Sequence, residues 1–294
     1  MQESIGARTT ASERLAEGPA RGLAMLLDRP DAPGPGELLP PLWHWLYFQP
    51  CTRQSQLAAD GHPLHGLFAP PAALPRRMWA GSRLEWLAPL RIGDFVTRAS
   101  TLVAAVPKKG RSGALLLVTL RHEYFANGNP ALVEEQDLVY REAAPPGPLA
   151  PPAPIGSPAL AARQPRADES GHWSVRATPD ERLLFRYSAL TGNAHRIHYD
   201  LAYAQAVEGY LGLVVQGPLL ATLLLETCAG RVGNLFVRRF EFRAVKAALV
   251  RADGDSALAL CGRMPEGGCA QLWVTDAHFE TLMTASAQFC SSQP

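Results

Sequence analysis

Residues 191–200 read "TGNAHRIHYD": two histidines, an asparagine, an arginine and an aspartate within one short stretch, set between two apolar runs. Groups that hold, release or orient protons are costly to bury without partners. Their concentration at one element boundary marks a candidate reaction site. Further on, "GPLLATLLLETCAG" at 217–230 is apolar almost all round. A helix of that kind has no face for solvent and must be buried on every side. Pro218 suits its first turn, and Gly230 is expected to stop it.

Alternating segments follow this helix: "LFVRRFEFRAV", "SALALCGRM", "CAQLWVTDAHF" and "LMTASAQFC". Period-two alternation with short turns predicts antiparallel strands, so the second half reads as a sheet wrapped about a buried helix. The first half has the same rhythm in "RLEWLAPL", "FVTRASTLVAAV", "GALLLVTLRHEYFA" and "LVEEQDLVYRE", with "PKKGRSG" and "NGNP" as turns. Its central helix is less obvious. A helix is expected through "ERLAEGPARGLAMLLD", capped by Thr10 or Ser12 and split near Gly18 and Pro19, with a second helix or turn near "PPLWHWLYFQP". The proline-rich segment 143–166 reads as a semi-rigid linker. The expected organisation is therefore a first unit over 1–142, the linker, and a second unit over 167–294.

Composition excludes several classes. The net charge is +1 with acids and bases mixed, which is not the basic footprint of a nucleic-acid binder. The cluster "PKKGR" at 107–111 reads as a turn, with contact to ligand phosphates as the alternative. No run of about 18 apolar residues predicts a membrane span, and the first fifteen residues contain no apolar signal core. The five cysteines show neither CxxC nor metal-ligand spacing and fit a reducing compartment. A cytoplasmic location is expected, or the mitochondrial matrix in a eukaryote.

"FRYSALTGNAHRIHYDLAYA" followed by "VVQGPLLATLLLE" resembles the hydratase motif of the MaoC-like double hot-dog hydratases and dehydratases. The most similar subgroup is that of mesaconyl-C4-CoA hydratase, itaconyl-CoA hydratase and hydroxyacyl-thioester dehydratase type 2. "LPRRMWAGSRLEW" in the first half resembles their degenerate N-terminal hot dog. The likeness covers the chain from about Leu39. It implies an α+β double hot-dog fold, with two antiparallel sheets each wrapped around a central helix. His198 falls on the catalytic histidine and Asp200 on the following aspartate. Asn193 stands where the general family has a catalytic aspartate, His195 and Arg196 replace Asn-Pro, and Gln216 replaces the histidine before the helix-opening Gly217.

The chemistry can be argued from the residues. Hydration of an enoyl thioester needs a polarised carbonyl, a water held at the β-carbon, and a proton carried between that water and the α-carbon. A helix N-terminus at Gly217 offers an unpaired N–H and a positive dipole end. His198 titrates near neutrality and can carry the proton, and Asn193 can orient the water or fix the imidazole tautomer. His198, Asn193 and Gly217 are thus the expected catalytic groups. His195, Arg196, Asp200, Arg77, Trp79 and Arg186 are the expected substrate contacts.

Each has a plainer alternative. His198 could be a structural histidine, and His195 a structural hydrogen-bonder. Asp200 could cap the next helix, Arg196 could lie on the surface, and Trp79 with Arg76 and Arg77 could be core and surface. His62 and His65 in "DGHPLHG" read as loop residues, and no metal or cofactor is expected. The expected partners are an acyl-CoA substrate and a second copy of the chain, with neither nucleic acid nor membrane. The expected activity is an acyl-CoA hydratase for a C4-dicarboxylyl thioester. The alternatives are a 3-hydroxyacyl-acyl-carrier-protein dehydratase, a thioesterase and a non-catalytic thioester binder.

Overall fold

The computed structural model describes residues 5–64, 73–110, 113–143, 172–233, 235–251, 256–263 and 267–291. Among the described residues, five strands precede residue 142: β1 (Arg8–Arg14), β2 (Arg76–Trp86), β3 (Phe95–Gly110), β4 (Gly113–Ala126) and β5 (Asn129–Arg141). Seven follow residue 171: β6 (His172–Ala177), β7 (Gly212–Val214), β8 (Phe236–Ala244), β9 (Leu249–Arg251), β10 (Leu258–Arg263), β11 (Cys269–Thr275) and β12 (Thr281–Cys290). The helices are α1 (Glu17–Leu26), α2 (Glu181–Thr191), α3 (Leu201–Ala206) and α4 (Gly217–Val232).

Ten of these strands form one antiparallel sheet in the order β1-β3-β4-β5-β2-β8-β12-β11-β10-β6. The halves meet edge to edge on the β2–β8 ladder, where Ser82 faces Phe242 and Leu84 faces Phe240. Joining the units there removes two exposed strand edges. The apolar run of the second half becomes α4. Leu219, Leu220, Leu223, Leu224 and Leu225 are buried in one core with Trp43, Trp86 and Tyr124 of the first half and Phe240, Leu260 and Leu272 of the second.

Several local expectations are corrected. Thr10 and Ser12 cap nothing: they belong to β1, which pairs with β3 through Arg8↔Thr101 to Arg14↔Phe95, with Ser12 Oγ 2.8 Å from Thr97 Oγ1. Ladder pairing has overridden a local helix-start signal. Helix α1 begins only at Glu17, with Gly18 and Pro19 inside its first turn, where a missing N–H costs nothing. "WHWL" at 43–46 is a 3-10 turn. Helix α4 runs past Gly230 and ends at Gly233, whose φ is +64°. The lysines of "PKKG" lie within β3, and residues 111–112 of that turn are outside the described residues. Asn127 and Gly128 have φ of +50° and +88°, the pair of positive values that a tight hairpin turn demands. Apart from Ala143, the 143–166 segment lies outside the described residues, as does His65.

Gly81 sits in the joining ladder opposite Arg243, beside an irregularity of β2, and a Cβ there would collide with the backbone carbonyl of Phe242. Gly81→Ala should therefore destabilise the whole chain by about 1–3 kcal/mol, the usual cost of overpacking. A melting temperature equal to that of the parent would show that the two sheets do not depend on this close approach.

Candidate active site

Helix α2 delivers the polar stretch. Asp180 caps it by accepting from Leu183 N (2.9 Å), and Gly192 ends it at φ +60°. The next residue is Asn193, whose Oδ1 accepts from His195 N at 3.1 Å. That bond assigns the amide: its oxygen is used, and the two N–H donors of Nδ2 are left for another acceptor. A 3-10 turn, Arg196–His198, brings His198 into the interior with 6% exposure. His198 Nδ1 lies 2.6 Å from Val214 O. A carbonyl only accepts, so the proton is on Nδ1 and Nε2 carries a lone pair. Burial, with the neighbouring His195, lowers the imidazole to about pKa 3, so it is neutral at ordinary pH.

Gly217 opens α4. No side chain caps this N-terminus, so its N–H and the helix dipole are free to act on a ligand. A Cβ at Gly217 would meet only Trp79 O, at 3.6 Å. Protein packing therefore does not require a glycine there. Gln216, before it, is buried and donates from Nε2 to Leu184 O and Ser188 Oγ, both at 2.9 Å. It ties the start of α4 to α2, and so to Asn193.

His198, Asn193, Gly217, His195, Trp79 and Arg77 all line one cavity of about 910 Å³. The other expected substrate contacts do not. Arg196 Nη2 and Asp200 Oδ2 pair at 2.7 Å, the guanidinium lies 4.1 Å over the ring of Tyr203, and Asp200 caps α3 by accepting from Tyr203 N (3.0 Å). Arg186 is exposed on α2. These three hold local structure or face solvent, which corrects their expected role.

The sequence reading missed groups that come from the first half and from beyond α3. The loop carrying Asp60 and His62 docks on the polar stretch: Arg196 N donates to Asp60 O (2.9 Å) and Arg196 Nη1 to Ala59 O (3.1 Å). Gly61, at φ +94°, lies so close to Ala194 O that no side chain fits. His62 Nδ1 is 2.8 Å from Asp60 Oδ2. Burial raises the Asp60 carboxyl, but the hydrogen bonds and charge of His62 and the charge of His195 together outweigh it and bring the group down to about 2. His62 is lowered to about 4, chiefly by burial and partly by the charge of Arg77, against the pull of Asp60. Its ring is 4.2 Å from that of His195, which is 5.5 Å from that of His198. His195 Nε2 is buried without a hydrogen bond, 3.7 Å from Glu208 Oε1, while Glu208 Oε2 accepts from Arg76 Nε at 2.8 Å.

The match to known proteins follows the same residues. The model of hydroxyacyl-thioester dehydratase type 2 matches residues 42–250, which span the docking loop, β2, the polar stretch and α4. The chain belongs to this family. A mesaconyl-C4-CoA hydratase of Chloroflexus aurantiacus is 42% identical over 90% of this chain and 94% of its own length. A solved MaoC-like dehydratase matches with a TM-score of 0.73 at 15% identity, covering 99% of each chain. A Mycobacterium tuberculosis protein described as a double hotdog fold matches with a TM-score of 0.55 at 18% identity, over 97% of this chain and 96% of that one. The fold is thus the α+β double hot dog, and the chain is a hydro-lyase of the hydratase and dehydratase type, an acyl-CoA hydratase. No helix among the described residues is long and apolar enough to cross a membrane.

Two neutral imidazoles, buried His198 and partly buried His62, leave a signature in this hot-dog chain. Folded, His198 and His62 stay unprotonated down to about 3 and 4, against 6.5 for an unperturbed histidine. Between those values the unfolded chain binds more protons. Stability should therefore be full above about pH 6.5 and fall as pH drops toward about 4. Urea unfolding at a series of pH values should show this slope, and the pair His62→Gln and His198→Gln should flatten it. A parent slope no steeper than that of the pair contradicts the neutral, buried state.

Proposed function

We propose that this hydratase adds water reversibly across the double bond of a short C4-dicarboxylyl enoyl-CoA, such as mesaconyl-C4-CoA or itaconyl-CoA. The observation that carries the reading is the neutral His198, with Nδ1–H committed to Val214 and Nε2 left as a base, in the same cavity as the uncapped start of α4. The Chloroflexus relative supports the acyl group.

The thioester oxygen faces Gly217 N–H, worth about 3 kcal/mol for one well-placed donor as an enolate develops. Water lies between His198 Nε2, which accepts its proton, and Asn193 Nδ2, which donates to its oxygen. As the oxygen bonds the β-carbon, the π electrons move toward the carbonyl and His198 becomes imidazolium. It then returns the proton to the α-carbon, so one water is added and no other reactant is needed. Asn193 positions and does not titrate. None of the five cysteines is in a disulfide, which supports a cytoplasmic location. A homodimer is part of the proposed reading, although the β2–β8 ladder already joins two hot-dog units within one chain.

The test is loss of the conjugated enoyl absorbance on incubation with crotonyl-CoA and with mesaconyl-C4-CoA. His198→Ala should lower kcat by roughly 10²-fold or more, the range for a general acid–base group, and Asn193→Ala by less. Asn193→Asp keeps an acceptor for His195 N and should retain activity with a changed pH profile. Full activity in a folded His198→Ala variant sinks the scheme. Preference for a 3-hydroxyacyl-acyl-carrier protein would move the chain to the dehydratases of fatty-acid synthesis, and release of thiol would make it a thioesterase.

A further inference from the structure

In mesaconyl-C4-CoA the free carboxylate is attached to the β-carbon, the atom that water attacks. Whatever binds that carboxylate must stand beside the group that activates the water. It must also offset a negative charge that would disfavour addition at the neighbouring carbon. The residue required is an uncommitted cation on the cavity wall near His198.

Among the described residues, four arginine and lysine side chains line the cavity: Arg77, Arg98, Arg141 and Lys246. Lys246 pairs with Glu280. Arg98 lies 5.0 Å over the ring of Phe48 and shares Tyr124 with the buried carboxylate of Glu134. Arg141 is already engaged. Arg77 pairs with no carboxylate among the described residues. The nearby acids are occupied, Asp60 by His62 and Glu208 by Arg76.

The placement of Arg77 follows from β2. Alternation along a strand puts Arg77 and Trp79 on one face. The Trp79 ring packs 5.2 Å from Trp45 and 6.4 Å from Phe242, and its carbonyl is the neighbour of Gly217. Arg77 also stands close enough to His62 for its charge to act on that imidazole, and His62 leads through His195 to His198. Ligand-type atoms of Asp60, His62 and His195 lie within 4.8 Å of one another, a spacing that a metal ion could use. The charge of Arg77 beside them opposes a second cation and favours an anion.

We propose that Arg77 binds the free carboxylate of the acyl group through its guanidinium fork, against the wall formed by His62 and His195 and beside His198. This rests on the hydratase reading. A guanidinium presents two parallel donors to a planar carboxylate, which an ammonium does not. The site would thus select acyl groups with a carboxylate on the β-carbon over plain enoyl groups.

The experiment compares kcat/KM for mesaconyl-C4-CoA and crotonyl-CoA in the parent, Arg77→Gln and Arg77→Lys, with circular dichroism of each. The parent should prefer the carboxylated substrate. The ratio of the two kcat/KM values should fall by about 10²-fold in Arg77→Gln, as for a lost charge-assisted bond. Arg77→Lys should lower it less. An equal loss on both substrates, or no loss on either, overturns the assignment, and the same comparison in Arg77→Lys decides the matter if Arg77→Gln does not fold. A parent that hydrates both substrates equally well overturns it while leaving the hydratase reading intact. A parent that hydrates neither overturns both. Saturable inhibition by zinc chloride that is lost in His62→Ala would show that the group takes a cation, and would also overturn it.

Discussion

Helix α4 begins inside the protein with no side-chain cap. A buried helix start normally finds a partner for its first N–H groups, and here the preceding residue could have supplied one. Gln216 instead anchors its amide Nε2 on Leu184 O and Ser188 Oγ, and its Oε1, the atom that could have accepted from those N–H groups, makes no hydrogen bond. The consequence runs outward. The dipole's positive end is left facing the cavity, α2 is locked to α4, and Asn193, just past the end of α2, is held in register with Gly217. The helix tolerates the open end because its other surfaces bury a row of leucines in the shared core, and burial of each such side chain contributes roughly 1.5–3 kcal/mol.

Burial governs two of the histidines. It disfavours the charged form of His198 and His62, and neighbouring positive charge, that of His195 at His198 and that of Arg77 at His62, adds to it. His198 and His62 are accordingly held neutral. For a base that must accept a proton from water, the neutral state is the useful one. The lowered pKa makes His198 a weaker base at rest and a stronger acid once protonated, which in the proposed mechanism suits return of the proton to carbon. A bound carboxylate would reduce the local positive field and raise the basicity of His198 when substrate is present.

Much of this was legible because it is local. Asn193, His198 and Gly217 lie within one loop and the next helix start, and period-two and all-apolar patterns gave the strands and α4. What was not legible depends on pairing between distant segments. Thr10 and Ser12 looked like helix caps because the ladder to β3 is invisible in sequence. Arg196 looked like a substrate contact, yet Asp200 four residues on is within its reach and takes it. His62 looked like a loop residue because its partners His195 and Arg77 come from other elements. The only local hint was "DGH", in which an acid two residues before a histidine can orient it.

The first half carries no copy of the polar stretch 191–200, and its interior has a different polar centre. Glu134, with 1% exposure, accepts from Ser82 Oγ (2.8 Å), Trp45 Nε1 (3.1 Å) and His44 Nε2 (3.1 Å). Burial alone would raise its carboxyl, but these bonds, led by that from His44, hold it below the ordinary carboxylate range. Several donors are needed to offset the several kcal/mol of desolvating an ion, and here one of them is an indole of the cavity wall. Trp45 is fixed by Glu134, and Trp79 by Ser82 Oγ (3.0 Å). The two rings meet edge to face at 5.2 Å and both lean on Phe242 across the junction of the sheets. The buried acid thus serves as a brace. It sets the aromatic wall opposite Gly217, and a rigid wall is what a site needs when its own catalytic groups are few. In the proposed mechanism the halves divide the labour: the second supplies the proton carrier and the helix end, and the first supplies the shape they act within.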